Sequence, residues 1–157
     1  AGGHLVSWLA SMANVPADSP IRATPLPFRA AIPLAGVLDL HQGWKEHLGN
    51  GAVGELMGGP PDELPDRYAA ASPIVLLPST VPHLVVHGAK DDIVPVDISE
   101  RYVGEAVRHG QRASLLRLVG ADHFDVIDPE SAAWPAIRDA ILALTGGQDR
   151  RVRLTNP

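Results

Sequence analysis

Two apolar runs, each ending in a glycine-containing loop that carries one ionisable group, constrain this chain most. Pro82-His83-Leu84-Val85-Val86 runs into His87-Gly88-Ala89-Lys90-Asp91-Asp92-Ile93-Val94-Pro95. Ala113-Ser114-Leu115-Leu116-Arg117-Leu118-Val119 runs into Gly120-Ala121-Asp122-His123-Phe124. Short apolar runs bounded by turn residues read as buried strands. The interval between the two loops leaves room for one crossover helix and a return strand. A parallel pair joined in that way places Asp91 and His123 at one sheet edge, where the two side chains can meet.

The remaining chain supplies the crossover elements. Val96 to His109 reads as an amphipathic helix with Ile98, Tyr102, Val103 and Ala106 on one stripe, capped by Asp97 or Ser99 and stopped by Gly110. Pro129 to Leu144 reads as a last helix, with Trp134, Ile137, Ile141 and Leu144 along one face. Gly3 to Ala13 reads as a first helix with Leu5, Val6, Trp8, Leu9 and Met12 as its apolar face, ended by Pro16. A proline-rich connection over 16–28 follows. Ala30 to Leu38 reads as a further buried strand, although Pro33 and Gly36 weaken it. Asp39 to Ala71 reads as irregular, with short helices at Gly43–Leu48 and Ala52–Met57, and Gly58-Gly59-Pro60-Pro61 is a strong breaker. This alternation predicts an α/β fold with parallel strands and crossover helices. Residues 1–147 form its single domain, and 148–157 are a polar tail.

Composition excludes several classes. The chain has 157 residues, 45% hydrophobic and 20% charged, which is the composition of a globular domain. A net charge of −5 and a pI near 5.7 argue against a nucleic-acid partner. There is no cysteine, so disulfides and thiolate chemistry are excluded. No apolar run is long enough to cross a bilayer, no membrane partner is expected, and the expected location is cytoplasmic. Ala1-Gly2-Gly3-His4 has neither an initiator Met nor a basic region, and reads as the middle of a longer chain.

An acid followed by a histidine is two thirds of a Ser-His-Asp arrangement. The acid could be Asp91 or Asp92, while Asp122 and Asp125 are too close in sequence to His123 to orient it well. His87 reads as bracing the strand end, and His4 as bracing the first turn of the first helix. His41, His47, His83 and His109 show no metal-ligand spacing. Ser7 reads as pointing outward, and Ser72 as a loop residue before a proline; neither suits a nucleophile.

These motifs resemble the C-terminal half of the α/β-hydrolase catalytic domain. Ala1-Gly2-Gly3-His4-Leu5 is similar to the end of a nucleophile elbow, Gly-x-Ser-Ala-Gly-Gly-His-Leu, of small esterases and kynurenine formamidase-like enzymes. The Asp91 loop is similar to the family's acid loop, His-Gly-x-x-Asp-x-x-Val-Pro, whose spacing selects Asp91 over Asp92. The run from Gly120 to Ile127 is similar to the catalytic-histidine loop of formamidase-like and feruloyl-esterase-like branches, in which Tyr68 to Pro73 also recurs. The resemblance implies a partial α/β-hydrolase fold. It further implies a serine hydrolase of a small carboxylic ester or amide, with Asp91 and His123 catalytic and the Ala1 N–H an oxyanion donor. The nucleophilic serine would then be the residue before Ala1, so the chain as given would be inactive alone. No cofactor or metal is implied. Asp39 to Leu64, with His41, Trp44, Leu48, Leu56 and Met57, would shape the substrate pocket. A prolyl-oligopeptidase-type peptidase domain and a non-catalytic ligand-binding relative are the two alternatives.

Overall fold

The computed structural model describes residues 1–146, and the polar tail at 148–157 lies outside the described residues. The elements are α1 (Gly2–Ala10), a 3-10 turn at Met12–Asn14, α2 (Leu40–Lys45), α3 (Leu48–Met57), α4 (Pro65–Ala71), β1 (His83–Gly88), α5 (Val96–Arg108), β2 (Ala113–Leu118) and α6 (Trp134–Gly146). β1 and β2 pair in parallel with His83 opposite Ala113 and Gly88 opposite Leu118, so their C-terminal ends are level. This register brings the two loops to one edge.

β1 is buried along almost its whole length, as a strand covered on both faces must be. On one face Val86 and Leu118 pack with Val126 and Ile137 of α6. On the other, Val85 packs with Leu38, Val94 and the α5 residues Ile98 and Tyr102. The expected stripe of α5 is thus its core face, with Ala106 also buried.

The expected strand at Ala30–Leu38 is corrected to two isolated parallel bridges, Ala31 to His83 and Leu34 to Val86. Pro33 has no N–H to donate, and Ala35 turns away at φ 42° in the left-handed region. The segment still lies beside β1: the amide of Leu84 donates to Ala31 O at 2.9 Å and that of Ala35 to Val86 O at 2.9 Å.

α1 is shorter than expected, and of its expected apolar face only Trp8 and, just beyond the helix, Met12 pack inward. It buries Gly3, His4, Ser7 and Ala10, whereas Leu5, Val6 and Leu9 are exposed. A Cβ on Gly3 would stand 2.7 Å from the Gly36 Cα, and one on Gly36 would stand 2.7 Å from the Gly3 carbonyl carbon. Two backbones meet there, so the small side of the helix turns inward. Ser7 is therefore fully buried rather than outward, with its hydroxyl unpartnered.

In the segment expected to be irregular, α2 is capped by Asp39, whose Oδ1 accepts from the Gln42 amide at 3.0 Å and whose Oδ2 accepts from Arg101 at 2.7 Å. His47, Gly49, Asn50 and Gly51 all have positive φ, so the right-handed part of α3 begins near Ala52, where the sequence placed it. α4 was not expected; Pro65 opens it from the first helical position, where no N–H is needed. α5 has no side-chain cap from Asp97 or Ser99. α6 starts at Trp134 rather than Pro129, because Asp128 folds 128–131 into a turn, accepting from Glu130 N on its side chain and from Ser131 N on its carbonyl.

Gly88 joins the two site loops. A Cβ there would lie 2.5 Å from the carbonyl oxygens of both Ala121 and Asp122, and neither is a flexible side chain. Gly88→Ala in the full-length protein should therefore cost about 2–3 kcal/mol, the upper part of the overpacking range, because backbone must move. Urea unfolding should show a lowered midpoint at unchanged slope. A wild-type midpoint would mean that the two loops are not in contact.

Candidate active site

The acid loop turns sharply after Gly88 and is tied to its neighbour by backbone. Ala89 N donates to Leu118 O and Lys90 N donates to Ala121 O, both at 2.9 Å. Within the loop, Asp91 Oδ1 accepts from the amides of Ile93 at 3.0 Å and Val94 at 2.8 Å. This Asx-type turn uses the carboxylate as the loop's internal hub. Its second oxygen, Oδ2, faces His123 Nδ1 at 2.7 Å. The Asp91 carboxylate is fully buried, while the His123 side chain is 26% exposed.

The tautomer follows from the partners. A carboxylate can only accept, so the proton of neutral His123 sits on Nδ1. Nε2 is then an unprotonated base turned away from the acid, and no other described residue hydrogen-bonds it. The ring stacks edge-on with Phe124, at a centroid separation of 5.5 Å and an interplanar angle of 89°. Its loop is braced from within. Asp125 Oδ2 accepts from Asp122 N at 2.9 Å, and Asp122 Oδ1 accepts from the amides of Phe124 at 2.8 Å and Asp125 at 3.0 Å. The amides of Asp125 and then Phe124 hold the exposed Asp122 carboxyl below its ordinary value. Neither Asp122 nor Asp125 orients the imidazole, and Asp92 is exposed.

α1 begins near the same edge. Its Gly3 packs on Leu34 and Gly36, and Leu34 bridges to Val86 near the end of β1. Ala1 occupies the N-cap position, where the helix N-terminus presents free amides. His4 Nε2 donates to Ala71 O at 2.9 Å, which fastens α1 to the end of α4, and Trp8 Nε1 donates to Ala70 O at 2.9 Å. Burial holds the His4 imidazole below its ordinary value. Ser72, the serine before Pro73, is buried, and its hydroxyl accepts from Leu40 N at 3.0 Å.

A cavity of about 590 Å³ lies between α1, the 16–21 connection, and the ends of α3 and α4. Of the residues expected to shape a pocket, Leu56 and Met57 line it, but His41, Trp44 and Leu48 do not. Asp91 and His123 do not line it either.

His87 and Ser99 were not singled out as site residues by the sequence. His87 is fully buried, with Nδ1 2.7 Å from Ser99 Oγ, Nε2 2.8 Å from Val94 O and 3.2 Å from Asp91 Oδ2. The available signal was its position just before the close-packed Gly88.

A pair of parallel strands with helices on both faces is the architecture of part of an α/β-hydrolase domain. The chain belongs to the BD-FAE family, a family of α/β-hydrolase-type esterase domains, whose family model matches residues 1–104. Among solved structures it is similar to an acetyl ester-xyloside bifunctional hydrolase from Caldicellulosiruptor lactoaceticus, at 21% identity and a TM-score of 0.68, covering 93% of this chain and 54% of that one. It is also similar to butyrate-bound esterase Est2 from Thermogutta terrifontis, at 22% identity and a TM-score of 0.62, covering 99% and 55%. At these identities the likeness is one of fold, and the chain spans about half the length of either structure. Over 75 residues it is 36% identical to the non-reducing polyketide synthase Preu6 of Preussia isomera, which is 45% of this chain and 3% of the synthase.

Proposed function

We propose that the protein containing this chain hydrolyses small carboxylic esters or amides by serine acyl transfer. One observation carries the reading: a fully buried carboxylate bonded at 2.7 Å to Nδ1 of a partly exposed imidazole whose Nε2 is free. Membership of an esterase-type family and the names of the structural relatives support an ester as substrate.

In this reading the serine lies immediately before Ala1 in the full-length protein. His123 Nε2 takes the serine proton as the hydroxyl oxygen attacks the acyl carbon, then returns it to the departing alcohol or amine. Water attacks the acyl-serine by the same route, releasing the acid and regenerating the serine. Asp91 fixes the imidazole in the Nε2-basic tautomer and stabilises the imidazolium. The amide of Ala1 stands at a helix N-terminus, suited to the developing oxyanion; each such donor typically contributes about 2.7–4 kcal/mol to the transition state.

The full-length protein should turn over p-nitrophenyl acetate with saturation kinetics and leave internal prolyl peptide bonds intact. Cleavage of a prolyl peptide in preference to the ester would assign the peptidase class. Tight binding of an ester with no turnover would assign a ligand-binding relative.

A further inference from the structure

We propose that His87 is a positioning residue for Asp91, clamping the acid loop between β1 and α5 so that the carboxylate stays aimed at His123. His87 lies on β1 and Ser99 on α5, and both are fully buried. The Val94 carbonyl, 2.8 Å from Nε2, can only accept, so Nε2 carries a proton. In the neutral ring, Nδ1 then accepts from the Ser99 hydroxyl at 2.7 Å. The Nε2–H is directed at Val94 O, and Nε2 also lies 3.2 Å from Asp91 Oδ2, within ion-pair distance.

One ring therefore holds the loop twice. It fixes the carbonyl of Val94, the residue whose amide holds Asp91 Oδ1, and it reaches Oδ2 itself. Asp91 Oδ2 thus lies between two imidazoles: it accepts from His123 Nδ1 on the site side and has the buried His87 Nε2 3.2 Å away. Apolar packing alone does not require this: a leucine or phenylalanine would fill the volume but leave Val94 O and Ser99 Oγ without their present partners. A buried group stripped of its partner costs more than the bond itself contributes, so the loop would shift to find another. Ser99 then has its place on α5 because it orients the ring, not because it caps the helix.

The kinetic part of this inference rests on the reading of Asp91 and His123 as acid and base; the structural part does not. The test uses the full-length protein and two readouts: turnover of p-nitrophenyl acetate, and the downfield proton NMR signal of His123 Nδ1–H in its short bond to Asp91. His87→Phe keeps ring volume and removes both polar contacts. It should lower kcat by about tenfold or more, as expected when a buried orienting contact worth 1.4 kcal/mol or more is lost, with KM little changed. The downfield signal should move or broaden. His87→Gln, which returns an N–H donor near the Nε2 position, should recover much of both. Should His87→Phe fail to fold, Ser99→Ala decides: it should move the signal and lower kcat several-fold. A signal and a kcat both unchanged in the folded variants would overturn the inference and leave His87 as packing. Ester turnover with an unresponsive signal rejects the clamp and leaves the hydrolase reading intact. A responsive signal in a protein without turnover keeps the clamp and rejects the hydrolase.

Discussion

His123→Ala in the full-length protein should lower turnover of a small aryl ester by about four to six orders of magnitude, while unfolding stays cooperative. The size follows from the role: without Nε2 no group accepts the serine proton as the carbonyl is attacked, and none protonates the leaving oxygen. The limited structural cost follows from its contacts. The ring stands at the site edge and its one described hydrogen bond is to Asp91, whose Oδ1 keeps the amides of Ile93 and Val94, so its removal lowers stability without undoing the loop. Circular dichroism and urea unfolding on the same sample check the second half. A loss below tenfold in a folded variant would remove His123 from the chemistry.

Asp91→Asn should lower kcat by about 10⁴, because an amide can donate to Nδ1 and so hold the imidazole in the tautomer that cannot act as a base. It also weakens the turn, since Oδ1 accepts from the amides of Ile93 and Val94. Asp92→Asn should be nearly silent, because Asp92 is exposed and has no described hydrogen-bond partner. The two substitutions sit one residue apart and change charge equally, so the pair separates position from net charge. Comparable losses at both would mean that the carboxylate acts through its field and not through contact.

The acid and histidine loops were legible because each follows an uninterrupted apolar run, and a parallel register then has to bring their ends level. Asp91 could be told from Asp92 only through the resemblance to the family's acid loop, and the structure places only Asp91 against the imidazole. Other features depend on contacts that no local pattern records. The inward side of α1 is set by the approach of Gly3 to Gly36, 33 positions away, so periodicity misplaced Leu5, Val6, Leu9 and Ser7 while Trp8 and Met12 do pack inward. Pro33 and Ala35 reduce an apolar run to two bridges, although its hydrophobicity matches that of a strand. Pro65, in a stretch expected to be irregular, begins α4. Ser99 has the residue type of a helix cap and spends its hydroxyl on His87 instead. Leu56 and Met57 reach a cavity, while His41, Trp44 and Leu48 on the same segment do not, because the left-handed residues around 47–51 redirect the chain between them.

In the proposed reaction His123 activates a serine preceding Ala1 for acyl transfer. The most direct measurement is labelling of the full-length protein with a fluorophosphonate, followed by mass mapping of the modified peptide in wild type and His123→Ala. Rapid, single-site labelling is expected on the serine next to Ala1, slowed by orders of magnitude in His123→Ala. Label on Ser7, Ser72 or another serine, or labelling at the elbow whose rate is indifferent to His123, would contradict it.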